Sequence, residues 1–236
     1  MGIDKVLKPE KLVSRGTVLK NVSMKRYTSM KVGGPVSYLV YPADEKDISR
    51  AVRILGEEGI SYRFLGNGTN IIVSDKGFDG AAIRISKIKG LRYKKEGKNI
   101  LADVTGGSSL KGFIKDSAQR GLSGLEKLYW IPGTVGGGIK MNAGSFGSSI
   151  SDVLKQVRIM NGQGAVMTMP AKDLVFDYRM SPIDMSQCIL DATFQLKESD
   201  KGKILKDMEY VLSERKKRHP MEFPSSGSIF KSVKGE

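Results

Sequence analysis

Three consecutive glycines, Gly136-Gly137-Gly138, stand between Val135 and Ile139 near the middle of the chain. Glycine gives a core no side chain and loses more conformational freedom on folding than any other residue. Such a run beside apolar neighbours makes sense where a flat or bulky ligand lies against bare main chain. The texture extends back to Pro132-Gly133-Thr134 and forward through Met141-Asn142-Ala143-Gly144-Ser145-Phe146-Gly147. No Gly-Lys-Ser/Thr closes the segment, so it is not a P-loop. A second glycine segment, Gly66-Asn67-Gly68-Thr69-Asn70, lies between the apolar runs 62–65 and 71–73. Two readings of it stay open: a nest of backbone N–H groups for an anion such as pyrophosphate, or a plain hairpin turn, for which Asn-Gly is a strong signal.

The surrounding pattern mixes strands and helices without regular alternation. Strands are expected at 37–41, 62–65, 71–73, 81–85, 100–104, 153–160, 165–169 and 188–196, with an NGQG turn after residue 160. A helix is expected over 44–59, where Ala51, Ile54 and Leu55 recur at helical spacing, acidic residues fill the first turn and Gly59 suits the C-terminal cap. Others are expected over 109–120 and over 203–218, the last apolar at Ile204, Leu205, Met208, Val211 and Leu212. Residues 3–13 read as weakly helical around Pro9, and 124–131 as a short helix leading into the glycine run. This order predicts an α+β fold rather than a doubly wound parallel sheet. No G-x-G-x-x-G opens a helix after a strand, which leaves a Rossmann dinucleotide site without support.

The 236 residues suffice for one large domain or two smaller ones, and the formal net charge of +14 attracts anions such as nucleic acid, anionic lipid or phosphorylated small molecules. No nucleic-acid recognition element or interleaved aromatic motif accompanies the charge, and nucleic acid is not an expected partner. Cys188 is the single cysteine and His219 the single histidine, which excludes an intramolecular disulfide, a zincin and any two-histidine relay. The N-terminal stretch has no apolar run of signal-peptide length, and no later run is long enough to span a membrane. A monomer in a reducing cytoplasm, with no membrane partner, is the expectation.

Five stretches in this order carry a resemblance: YTSMKVGGP (27–35), LGNGTNIIVSDKGF (65–78), GLEKLYWIPGTVGGGIKMNAGSFG (124–147), FDYRMS (176–181) and PSSGSIFK (224–231). Together they resemble the UDP-N-acetylenolpyruvoylglucosamine reductase (MurB) family, within the vanillyl-alcohol-oxidase-like, PCMH-type class of FAD-binding folds. The resemblance implies that NADPH reduces a tightly bound FAD, which then reduces the enolpyruvyl ether of UDP-N-acetylglucosamine enolpyruvate to UDP-N-acetylmuramate, a peptidoglycan precursor. It further implies two FAD-binding subdomains, here 1–88 and 89–197, and the beginning of a substrate-binding domain at 198–236. Gly66, Asn67, Gly68, Thr69 and Asn70 would hold the pyrophosphate of FAD. Gly133, Thr134, Gly136, Gly137, Asn142, Ala143 and Gly144 would line the flavin.

The same resemblance assigns the chemistry. Arg179, in Tyr-Arg-x-Ser, matches the residue that meets the negative charge developing beside the substrate carboxylate, and Ser228, in Gly-Ser-Ile-Phe-Lys, matches the proton donor. Tyr178 and Lys231 follow as substrate contacts. The basic run Arg215-Lys216-Lys217-Arg218 reads either as a phosphate-binding cluster or as a solvated helix end complementing the helix dipole, with His219 at the surface. The chain departs from the family in having Ser232-Val233 where Asn-Pro is usual, and the family's C-terminal glutamate has no counterpart before Glu236. A truncated or unusually short member is therefore expected. A protein of the same fold that binds FAD but has lost this reaction, or a flavin oxidase, is the alternative.

Overall fold

The structure, a computed structural model, describes residues 8–219, 222–228 and 230. After a short helix α1 (Pro9–Leu12), a four-stranded sheet forms from β1 (Thr17–Ser23), β2 (Pro35–Tyr41), β3 (Tyr62–Leu65) and β4 (Phe78–Arg84) in the order β1-β2-β4-β3. β1 and β2 are antiparallel, whereas β4 runs parallel to both β2 and β3. Helix α2 (Glu45–Glu57) supplies the crossover between β2 and β3. It starts where the Asp44 carboxylate accepts the Asp47 amide at 2.9 Å, and it lays Ile48, Ala51, Val52 and Leu55 against Tyr38, Val40, Ala81 and Ile83.

Asp47 is buried, which alone would raise its pKa. Hydrogen bonds from the Ala43, Ser14 and Arg15 amides and the Ser14 hydroxyl prevail and hold it below its ordinary value. One carboxylate thus ties the chain before β1 to the start of α2.

A second, antiparallel sheet follows: β5 (Leu91–Glu96), β6 (Asn99–Thr105), β10 (Leu154–Met160), β11 (Val166–Pro170) and β12 (Cys188–Glu198), ordered β11-β10-β12-β6-β5. The short β7 (Leu122–Ser123) extends β12 at one end. Helices α3 (Leu110–Gln119), α4 (Val135–Lys140) and α5 (Lys201–Arg218) close its core, in which Phe113 and Phe194 pack with ring centroids 5.1 Å apart. β8 (Gly144–Ser145) and β9 (Ser148–Ser149) make a small hairpin after α4. Met160, Cys188 and Leu190 of the second sheet enter the core of the first, so the two units share buried surface. Cys188 is buried among them, and burial pushes its thiol pKa up, away from reactivity. At the rim Arg158 bridges Asp191 at 2.5 Å and Glu45 at 3.1 Å.

The structure departs from the sequence reading in several places. Residues 71–73 form no strand: because β3 and β4 are parallel, the chain after Leu65 must cross over, and Ile71 and Val73 cover the outer face of the first sheet beside Met24, Val36 and Leu39. The same parallel pairing rules out a hairpin turn at 66–70. The glycine triplet, for which no helix is expected, lies inside α4, whose N-cap Thr134 accepts the Gly137 amide at 3.2 Å. Glycine is a poor helix former, so packing and the cap maintain this turn. The expected helix at 124–131 shrinks to a 3-10 turn, Glu126–Leu128, while β5, rich in lysine on an edge, was not anticipated. Among the described residues no helix is long and apolar enough to cross a membrane.

Candidate active site

The two glycine segments, more than sixty residues apart in sequence, meet in space. A Cβ on Gly66 would lie 2.5 Å from the Thr134 hydroxyl, and the Thr69 hydroxyl donates to the Pro132 carbonyl at 3.4 Å. Gly68 (φ +67°) is demanded by the chain itself, since a Cβ there would lie 2.0 Å from the Tyr27 carbonyl oxygen. The Gly68 carbonyl in turn accepts the Ser29 amide at 2.9 Å. Protein atoms thus hold this loop at Gly66, Gly68 and Thr69, yet its amides are left over. Among the described residues none of the five N–H groups from Gly66 to Asn70 donates to a protein acceptor. Gly66 to Thr69 are buried or half-buried and Asn70 is exposed; buried amides seldom go unpaired, and a row of free ones is a receptor for an anion.

The second segment presents main chain differently. Gly136 donates to the Gly106 carbonyl at 2.8 Å, and a Cβ on Gly138 would press on Leu110 and Ile150. Gly137 alone of the three is exposed, and a Cβ there would meet only the Thr134 side chain. It leaves a bare patch of backbone beside the amide row. Next to it Asn142 (φ +40°) donates its amide to the Asp177 carbonyl at 3.0 Å, while its own oxygen Oδ1 is buried without a donor. An anion nest, a bare backbone surface and a waiting acceptor suit a dinucleotide whose pyrophosphate joins a flat ring system bearing one ring N–H. These residues fit FAD.

Arg179 approaches from a tight turn, Asp177–Met180, closed by backbone hydrogen bonds of 3.1 and 3.0 Å. Its φ of +57° is unusual for arginine and aims the guanidinium at the β8–β9 hairpin, where Nη1 donates to the Gly144 carbonyl at 3.0 Å. The guanidinium also lies 5.2 Å from the Tyr178 ring centroid. Ser181 donates to the Lys140 carbonyl at 2.8 Å and the Lys140 ammonium donates to the Ile183 carbonyl, so α4 anchors the segment carrying Arg179. No ion pair engages Arg179 among the described residues, and its hydrogen bond goes to the Gly144 carbonyl.

Ser228 is exposed, three residues beyond Ser225. The Ser29 hydroxyl donates to the Ser225 carbonyl, and it lies 3.4 Å from the Gly68 carbonyl. The serine motif is thus moored to the first glycine loop, although no contact joins Ser228 to Arg179. Lys231 lies outside the described residues. Gly133, Ala143 and Gly144 are held by their own contacts: the Gly133 carbonyl accepts the Leu110 amide at 3.1 Å, the Ala143 amide donates to the Gly138 carbonyl at 2.8 Å, and the Gly144 carbonyl accepts Arg179. Sequence reasoning missed Ser29 as the moor and Gly106, whose missing side chain lets the Ile189 carbonyl approach a Cβ position to 2.0 Å. Ser29 lay inside the YTSM stretch, but nothing in the sequence distinguishes a mooring serine from a turn serine.

Residues 36–170 match the family described as FAD binding domain. The UDP-N-acetylenolpyruvoylglucosamine reductase of Carboxydothermus hydrogenoformans is 37% identical over 236 residues, covering 99% of this chain and 77% of that protein. The crystal structure of UDP-N-acetylenolpyruvylglucosamine reductase (MurB) from Thermus caldophilus superposes with a TM-score of 0.79 at 32% identity, over 94% of this chain and 76% of that one. Cholesterol oxidase from B. sterolicum, at 11% identity and a TM-score of 0.59 over 83% of this chain and 40% of its own, shares the fold alone. With its two glycine segments brought together on this fold, the chain belongs to the UDP-N-acetylenolpyruvoylglucosamine reductase family.

Proposed function

We propose that this protein binds FAD between its two sheets and uses NADPH to reduce UDP-N-acetylglucosamine enolpyruvate to UDP-N-acetylmuramate, in peptidoglycan precursor synthesis. The observation that carries the reading is the row of five free amides, Gly66 to Asn70, packed against the Pro132–Thr134 turn. FAD, when bound, supplies the hydride equivalent that NADPH delivers. The residues of the chain supply position, charge and a proton. Division of the chain at 88/89 and 197/198 accompanies this reading: residues before the first boundary hold the pyrophosphate, and α5 beyond the second faces the substrate.

A hydride added to the terminal carbon of the enolpyruvyl group places negative charge on the neighbouring carbon, conjugated with the carboxylate. Arg179 meets that charge. A guanidinium stays protonated at any working pH and pairs with a carboxylate through two bonds, so it stabilises the charge without acting as the acid. Ser228 gives the proton. A serine hydroxyl is a poor acid, but an enolate carbon is basic enough to take it. Tyr178, exposed beside Arg179, is the next substrate contact, and Lys231 follows from its place in the serine motif. The alternative, an FAD protein that has lost this reaction, differs in one observable. NADPH consumption by the FAD-loaded protein is expected to rise severalfold or more on adding the enolpyruvyl sugar, with the muramate product seen by mass spectrometry. Consumption that ignores the sugar and follows oxygen alone would establish the alternative instead.

A further inference from the structure

A cavity of about 660 Å³ opens at one end of the second sheet, where β10 begins, β11 ends and β12 runs on to β7. None of the residues lining it belongs to the glycine segments, the 177–180 turn or the serine motif. Part of the lining is apolar, formed by Val153, Leu154, Pro170 and Ala171. Gln195 and Lys197 enter from β12, where they alternate with the core residues Phe194 and Leu196 and so stand on the outer face of the sheet. On β10 the register slips: Leu154 faces Phe194 and Gln156 faces Thr193, which leaves Lys155 as the extra residue of a bulge. A bulge re-aims the side chains beside it, and here both Lys155 and Gln156 line the cavity. Lys172, in the turn Ala171–Asp173 that follows β11, adds a third lysine.

Three ammonium groups thus share the cavity with one carboxylate, that of Asp152, which already accepts the Ser149 amide at 2.8 Å. Carboxylates nearby are engaged as well: Glu96 pairs with Lys155 at 2.6 Å, and Glu198 with Lys95 at 3.4 Å. The Gln156 amide donates to the Thr193 hydroxyl at 3.4 Å, and that hydroxyl donates to Asp103 at 2.6 Å. Among the described residues no ion pair engages Lys172 or Lys197, and the Gln195 amide makes no hydrogen bond. A space of this volume is on the order of one Debye length across, ~10 Å, so the fields of the ammonium groups add inside it. A monovalent anion can meet one ammonium at a time, whereas a chain of phosphates spans two. The volume also falls in the range of small-molecule sites, about 300–1,000 Å³.

We propose that this cavity is a second anion site, separate from the candidate active site, which takes a small polyphosphate. Lys172 and Lys197 pair with its phosphates, and the Gln195 amide donates to an oxygen between them. A free polyphosphate chain and the polyphosphate of a nucleotide share this chemistry. The apolar part of the lining separates them, since only a nucleotide has a body to lay against Val153, Leu154, Pro170 and Ala171. The inference does not depend on the reaction proposed above.

The test is calorimetric titration of the FAD-loaded protein with tripolyphosphate and with ATP, which carries the same chain on a nucleoside. The double variant Lys172→Gln/Lys197→Gln is expected to weaken tripolyphosphate binding by about tenfold to hundredfold, the worth of two charge-assisted contacts screened by solvent. Its melting temperature should be no lower, because neither lysine is paired in the free protein. Should it fail to fold, Lys172→Gln alone, in an exposed turn, carries the test with a smaller loss. Lys20→Gln/Lys46→Gln removes the same charge from β1 and α2, and Arg179→Met removes a cation from the candidate active site. Both are expected to bind tripolyphosphate as the wild type does. For ATP, the cavity's share is the binding that the Lys172 and Lys197 variant loses. A share tighter than tripolyphosphate assigns a nucleotide, and an equal or weaker one assigns the free chain. An equal loss in the Lys20 and Lys46 variant would mean that net charge alone attracts the anion, and loss in Arg179→Met alone would put the anion in the active site. Either result overturns the second site. Wild-type affinity in the Lys172 and Lys197 variant overturns it too, as does a wild-type protein that binds no tripolyphosphate at millimolar concentration.

Discussion

Replacing Gly68 with alanine is expected to strip FAD from the protein and lower its melting temperature by about 10 °C, the shift that roughly 3–5 kcal/mol produces in a chain of this size. Two penalties combine. The residue sits at φ +67°, where an L side chain costs about 1–2 kcal/mol. The added Cβ would also lie 2.0 Å from the Tyr27 carbonyl oxygen, a backbone atom that cannot turn aside. Relief requires the 66–70 loop to lift off the 27–29 segment. The row of amides would then move away from Thr134, and the Ser29 link to Ser225 would be broken. Gly59 provides the control, since it has φ +66° but meets nothing within 4 Å. Gly59→Ala should show the backbone penalty alone and keep its flavin. Melting curves and the flavin-to-protein absorbance ratio of both variants decide the matter. Equal behaviour of the two would mean that the Tyr27 approach has no part in holding the loop.

Ser228→Ala is expected to reduce turnover of the enolpyruvyl sugar by about 10²–10⁴, the usual contribution of a positioned proton donor. Bound FAD and the rate of its bleaching by NADPH should not change. Ser228 is exposed and lies beyond the Ser225 anchor, so removing its hydroxyl disturbs no core and no strand. Stopped-flow absorbance measures the two half-reactions separately. A parallel fall in both would point to a damaged fold, and an unchanged second half-reaction would remove Ser228 from the chemistry.

These expectations rest on parts of the molecule that differ in how plainly the sequence announces them. Helix α2 is legible because apolar spacing, an aspartate cap and a terminal glycine agree locally, and the α5 stripe because apolar spacing follows an aspartate cap. The antiparallel β10–β11 hairpin is legible because NGQG marks its turn, whereas the return of β12 to the other side of β10 is a non-local fact. Residues 71–73 mislead because their alternation is real: Ile71 and Val73 do face a core while Ile72 is 57% exposed. What local pattern cannot say is whether a sheet partner stands alongside. The parallel pairing of β3 with β4, a non-local fact, removes it. The α4 turn is hidden for a different reason. Three glycines argue against helix by propensity, and only the Thr134 cap with the Gly106 and Leu110 contacts sustains one.

For the site, the glycine segments announced themselves through composition, but their meeting did not. It depends on how the two sheets pack through Met160, Cys188 and Leu190. Arg179 and Ser228 came from motif resemblance, because an isolated arginine or serine carries no signal.

That the paired glycine segments hold an FAD serving the enolpyruvyl sugar is tested most directly by an oxygen-free titration. The FAD-loaded protein is bleached with one equivalent of NADPH and then given UDP-N-acetylglucosamine enolpyruvate. The visible flavin band is expected to return in full as about one equivalent of sugar is added, since one hydride reduces one enol ether. A band that stays bleached, with the sugar recovered intact, would contradict that role.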